Sequence, residues 1–177
     1  SVVSLKDMVR SKRIATIGDA AQWFEDSSPI APEHKKQKVV GISAKVITVI
    51  VESGDAAPTT PIGINLPNAD WIRKEAGSKS VFLGNIVDAY DEAAKDSGVL
   101  NEFAFSPEEI QLAKEHGTEG QNLKVDMHEV IGHASGQLED GVSGEALKNY
   151  GSALEETRAD LVGLYYVMDK KLMDLGV

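Results

Sequence analysis

The chain has 177 residues, 26% of them charged and 42% hydrophobic, the proportions of a globular domain rather than a disordered or fibrous one. Its 18 Lys+Arg against 28 Asp+Glu give a formal charge of −10, which makes phosphate backbones and anionic lipid surfaces poor partners, so neither nucleic acid nor membrane is expected. It has no cysteine, which excludes disulfide frameworks, thiolate nucleophiles and Cys-based zinc fingers together.

Ser4 to Ser27 carries helical spacing, with Leu5, Met8 and Val9 and then Ile17, Ala20, Ala21 and Phe24 on one side. Gly18 weakens the middle of that span, which is compatible with one helix or two. Val39 to Glu52 crowds Val39, Val40, Ile42, Val46, Ile47, Val49, Ile50 and Val51 together, which favours a strand. This is the one strong β signal, and Gly54 to Pro61 reads as the loop after it.

Beyond Asn68 the texture is helical. Asn68 can cap a helix through Trp71 and Ile72, and Leu83, Ile86, Val87, Tyr90 and Ala94 form an apolar stripe. Ser106-Pro107-Glu108-Glu109 is a capping box with proline at the first helical position, and Gly117 is expected to close that helix. Asn122–Ser135 and Ser152–Leu175 supply two further helices around the Gly-rich turn 136–144. The fold class expected is mainly α (α+β), a helical lobe with one short β element near residues 39–52, and residues 1–177 form a single domain. No apolar run approaches the roughly 20 residues that span a bilayer. The chain opens Ser-Val-Val with neither an initiator Met nor a basic-then-apolar signal pattern, so it is expected to be a piece of a longer, cytoplasmic protein.

The chemistry lies in His128-Glu129-Val130-Ile131-Gly132-His133. Two imidazoles one turn apart can bind one ion, with a Glu beside the first able to reach the water on it. Here the histidines are five residues apart instead of four. On an α-helix a spacing of four leaves side chains roughly 40° apart and a spacing of five roughly 140°, so a regular helix cannot aim both rings at one metal. One extra residue taken up as a π-bulge removes the conflict, and Gly132 has the smallest side chain to crowd it.

A catalytic zinc takes three protein ligands plus water. The third is sought in Glu155-Glu156-Thr157-Arg158-Ala159-Asp160, on a helix that a short turn can fold antiparallel to the first. Glu156 and Asp160 share a face, so one can ligate while the other accepts a proton from the outer nitrogen of a liganding His. Glu129 would take the proton from the metal-bound water and pass it to the leaving amine. Glu155 also completes a capping box with Ser152, which would explain it without any metal. Asn65 and Asn68 flank Pro67, and on spacing alone turn formation and helix capping explain them best, without a substrate.

HEVIGH followed by EETRAD resembles the HExxGH and EExxR(A)(E/D) pair of the dipeptidyl-peptidase III family, a family of zinc exopeptidases. Residues 63–73, GINLPNADWIR, are similar to a third motif of that family, and Val81-Phe82-Leu83-Gly84-Asn85 is family-like as well. The likeness runs from roughly Pro58 to Leu175. It implies His128, His133 and Glu156 as zinc ligands and Glu129 as general base. It also implies Glu155 and Asp160 as carboxylates hydrogen-bonded to the two histidines, and Asn65 and Asn68 as holders of the substrate's amino-terminal end. The family removes dipeptides from the N-terminus of short oligopeptides in a cleft between a helical zinc lobe and a second lobe. The resemblance therefore implies that this chain is the zinc-lobe portion of a longer two-lobed enzyme. The alternative is a zinc-binding but catalytically incomplete fragment.

Overall fold

The structure is a computed structural model of the chain, describing residues 1–39, 43–54, 60–66, 72, 75–77, 79–95 and 97–177, without the side chains of residues 65, 144 and 145. Val2–Lys6 is strand β1, not the start of a helix. The first helix, α1 (Met8–Asp19), begins where Asp7 Oδ1 accepts from the backbone N–H groups of Val9 and Arg10 at 3.0 and 2.9 Å. That cap starts the helix at Met8 and leaves Leu5 in the sheet. Ala20 then separates α1 from α2 (Ala21–Ser27), and a 3-10 turn follows at Pro32–His34.

The β signal after Val39 is realised as β2 (Ser43–Glu52); residues 40–42 lie outside the described ones. It is not alone. β3 (Gly63–Leu66) and β4 (Lys79–Leu83) complete a four-stranded sheet in the order β1-β2-β4-β3. β2 and β4 are parallel, and the outer strands pair antiparallel with them. The mainly α (α+β) class therefore holds, with more sheet than the single expected element. β1, β3 and β4 span at most five residues each, too short for a period-two pattern to declare itself. Asn85, just beyond β4, pairs with β2 as a strand would: its Oδ1 accepts from Val49 N at 2.9 Å and its Nδ2 donates to Val49 O at 3.0 Å.

Helices α3 (Gly84–Lys95) and α4 (Val99–Phe103) lead to the long α5 (Pro107–Met127). The expected cap is present: Ser106 Oγ accepts from Glu109 N at 3.3 Å, and Glu109 Oε2 accepts from Phe105 N at 2.8 Å. Gly117 does not close the helix. A helical glycine costs only about 1 kcal/mol, and here the run of backbone hydrogen bonds outweighs it. His116 is accordingly mid-helix. After the site segment come a 3-10 stretch (Gly144–Tyr150), α6 (Gly151–Tyr166) and α7 (Lys170–Leu175). The expected 152–175 helix thus breaks before Asp169, whose carboxylate caps α7 by accepting from Lys171 N at 2.8 Å. The helix expected through Trp71 falls largely outside the described residues.

The core joins α1 and α2 (Ile14, Ile17, Phe24), the sheet (Val46, Phe82), the end of α5 (Met127), the site segment (Val130, Ile131) and the C-terminal helices (Tyr166, Leu172). Phe24 and Tyr166 pack edge to face with centroids 4.9 Å apart, and the Tyr166 hydroxyl donates to Phe24 O at 2.7 Å. Of the other aromatics, Trp23 and Tyr165 are exposed, and Trp71 lies outside the described residues.

Candidate metal centre

α5 runs directly into a π-helical turn, His128–Gly132. His133 N donates to His128 O at 3.0 Å, an i to i+5 bond that takes up the extra residue the spacing required. Val130 and Ile131 are thereby buried in the core while the two rings meet on the other side. Their centroids are 4.8 Å apart and their planes perpendicular.

Opposite them lies α6, brought close by two glycines. A Cβ on Gly132 would stand 2.5 Å from Ala159 O, and one on Gly163 would stand 3.1 Å from His128 N. Gly132 is small chiefly because the backbone of α6 occupies the space a side chain would need, more than to relieve the bulge itself. At this separation Glu156 Oε2 lies 3.3 Å from His128 Nε2 and 3.8 Å from His133 Nε2. Ligands about 2.1 Å from a tetrahedral ion are roughly 3.4 Å from one another, so the spacing suits one cation. Among the described residues, His128, His133 and Glu156 form a group that could hold a metal ion, their donor atoms lying within 4.8 Å of one another.

The other ring nitrogens are held as well. His128 Nδ1 is 2.8 Å from Asp160 Oδ1, and His133 Nδ1 is 3.0 Å from Glu155 Oε1. These contacts leave both Nε2 atoms as the acceptors facing the cleft, the tautomer that binds a metal. Glu155 does not cap its helix: α6 begins at Gly151 with no side-chain cap. Burial alone would raise the Glu155 pKa, but hydrogen bonds from His133 and Arg158, with their charges, bring it down to about 2. Burial likewise opposes charge on His133, yet its bond to Glu155 and the carboxylates of Glu129, Glu155 and Glu156 raise its pKa above the ordinary value. The pocket favours positive charge. Asp160 is lowered by its hydrogen bonds from Lys124 and then His128.

These groups line a cleft of about 900 Å³ together with Pro61, Ile62, Gly63 and Gln121. Glu129 lies on its β3 side, with Oε1 3.3 Å from the place a Cβ on Gly63 would take. Asn65 is in β3, its backbone registered with Ser80, but its side chain and all of Asn68 lie outside the described residues.

Residues 1–142 match the sequence model of Peptidase family M49. The chain belongs to family M49. Its relatives extend the likeness across the second motif: dipeptidyl peptidase 3 of Dictyostelium discoideum is 30% identical over 98% of this chain. Two solved structures superpose with a TM-score of 0.78, DPP III from Caldithrix abyssi at 26% identity and dipeptidyl-peptidase III from Corallococcus sp. strain EGB at 27%. They cover 98% and 99% of this chain and are themselves covered to 34% and 33%. The chain spans 28% of the length of the Dictyostelium protein.

The M49 motifs contain most, but not all, of what shapes the site. Arg158 ties its two helices together: its guanidinium donates to Gly132 O at 2.9 Å, Ser135 Oγ at 2.7 Å, Ser135 O and, through Nη2, Glu155 Oε1 at 2.7 Å. Buried Glu25 on α2 fixes the exit of the π turn by accepting from Gly136 N at 3.0 Å and Lys36 N at 2.6 Å. Neither Glu25 nor Gly163 is marked by any sequence motif. The signal for Gly163 is its position four residues after Ala159, on the face of α6 that meets the π turn.

Proposed function

We propose that this chain is the zinc lobe of an exopeptidase that removes dipeptides from the N-terminus of short oligopeptides. The observation that supports this best is the convergence of both Nε2 atoms on one oxygen of Glu156, with both Nδ1 atoms tied back by carboxylates. His128, His133 and Glu156 hold the zinc, and Glu155 and Asp160 orient the rings. A zinc ion bound there lowers the pKa of its water toward about 7 and polarises a substrate carbonyl.

Glu129 acts as general base and then acid, taking a proton from the attacking water on a carboxylate oxygen and delivering it to the leaving amine. Asn65 and Asn68 hold the substrate's amino-terminal portion and so select the second peptide bond. The remainder of a longer chain closes the cleft from the other side, and the cysteine-free composition favours the cytoplasm.

A second reading follows from the share of its relatives that this chain spans, 28% for the Dictyostelium protein: alone, it binds zinc without turning over peptide. Zinc content and release of dipeptide from short oligopeptides separate the two. The first reading expects Glu129→Gln to retain zinc and lose turnover by orders of magnitude. Unchanged turnover in that variant removes Glu129 as the base. Zinc-loaded wild type with no hydrolysis favours the second reading, and wild type that takes up no zinc overturns both.

A further inference from the structure

The two histidines are oriented by the same three-part arrangement, and only one of its cations belongs to a motif. On one side His133 Nδ1 contacts Glu155 Oε1, and Arg158 Nη2 donates to that same oxygen at 2.7 Å. On the other, His128 Nδ1 contacts Asp160 Oδ1, and Lys124 Nζ lies 2.8 Å from that same oxygen. We propose that Lys124 is a positioning residue of the metal centre: its ammonium anchors Asp160 Oδ1 on His128 Nδ1 and thereby keeps His128 Nε2 turned toward Glu156. This deepens the reading of His128, His133 and Glu156 as ligands and rests on it.

The placement follows from the helices. Lys124 is four residues before His128 on α5, so the two side chains share a face, and Asp160 reaches them from α6. Asp160 is also four residues after Glu156, on the face of α6 that lines the cleft. Its side chain is 45% exposed, so burial alone does not fix its rotamer. Released from Lys124, this carboxylate can turn into the cleft, leave His128 Nδ1 without its acceptor and compete with Glu156. Arg158 has further bonds to Gly132 and Ser135 and would be missed by the whole helix pair. Among the described residues the ion-pair partner of Lys124 is Asp160, so Lys124 can be changed with little else disturbed.

Simple electrostatics and a positioning role give opposite signs here. Removing a positive charge near a cation site should, by Coulomb's law alone, tighten cation binding. A positioning role requires the reverse. The test is zinc affinity of the 177-residue chain, measured by competition with a chromophoric chelator, for wild type, Lys124→Met and Lys124→Arg. Lys124→Met should bind zinc about tenfold or more weakly, while Lys124→Arg stays within about threefold of wild type. Thermal unfolding of the metal-free proteins checks that Lys124→Met folds, and Lys124→Gln, with the same expected direction, replaces it if it does not. Zinc binding by the charge-free variant that equals or exceeds wild type overturns the role of Lys124 and leaves the ligand assignment standing. Wild type that binds no zinc overturns the ligand assignment and this inference with it.

Discussion

Gly132 and Ala159 are in backbone-to-backbone contact: a Cβ on the glycine would lie 2.5 Å from the alanine's carbonyl oxygen and 2.8 Å from its Cα. No side-chain rearrangement relieves that overlap, so Gly132→Ala must push the π turn and α6 apart, at a cost of about 1–3 kcal/mol or more. Gly163→Ala, whose nearest contact is 3.1 Å, should cost less. Gly117→Ala on α5, where a Cβ meets nothing within 4 Å, should stabilise by about 0.5–1 kcal/mol. Urea unfolding of the three variants checks the order, and a Gly132→Ala protein as stable as wild type would contradict the close approach.

Arg158 joins the end of the π turn to Glu155 through one guanidinium. Lysine keeps the charge but cannot supply a planar fork of donors, so Arg158→Lys takes the guanidinium from the Ser135 carbonyl and from Glu155, while Gly132 O keeps its bonds from Ser135 N and Oγ. The expected loss is about 2–3 kcal/mol of stability, with weaker metal retention. Unfolding and metal content measured on the same preparation test both parts. Full retention of either would mean that the fork is dispensable.

Tyr166→Phe separates core stability from the site. The hydroxyl bonds to Phe24 O in the interior, far along α6 from Glu156, and its loss removes that buried hydrogen bond, for about 1–2 kcal/mol. Thermal unfolding should show that loss while metal affinity stays at the wild-type value. Weakened metal binding would show that the aromatic core and the site are coupled.

The metal-free chain should show an acid dependence traceable to Glu155. Its carboxyl titrates about 2 in the fold against an ordinary 4.5. Between these values the unfolded chain takes up the proton and the folded chain does not. The stabilisation is therefore complete above about pH 4.5 and is lost as the pH falls toward 2. Glu155→Gln should be less stable than wild type at neutral pH, with the gap closing across that window. Urea midpoints at several pH values test this, and a gap that does not change with pH would contradict it.

The site was legible in the sequence to the extent that chemistry and helical periodicity constrain it. Five-residue spacing of His128 and His133 demands a π turn, and the i to i+5 bond is there. In the fold Asp160 and Glu155 lie against the Nδ1 atoms, and Glu156 lies beside the Nε2 atoms. Glu155 was ambiguous because a carboxylate near a helix start suits a cap and a histidine equally, and tertiary packing decided between them. Lys124 and Gly163 carry no motif of their own, since their roles depend on where a second helix crosses. The sheet was underestimated for a related reason. β1 and β4 are strands because β2 pairs with each of them, not because five residues announce it.

The most direct measurement is anomalous diffraction at the zinc edge from crystals of the zinc-loaded chain. The account predicts one peak about 2.0–2.2 Å from His128 Nε2, His133 Nε2 and a Glu156 carboxylate oxygen, with Asp160 and Glu155 still on the two Nδ1 atoms. A peak on the Nδ1 atoms, or one at a site that excludes Glu156, would contradict it.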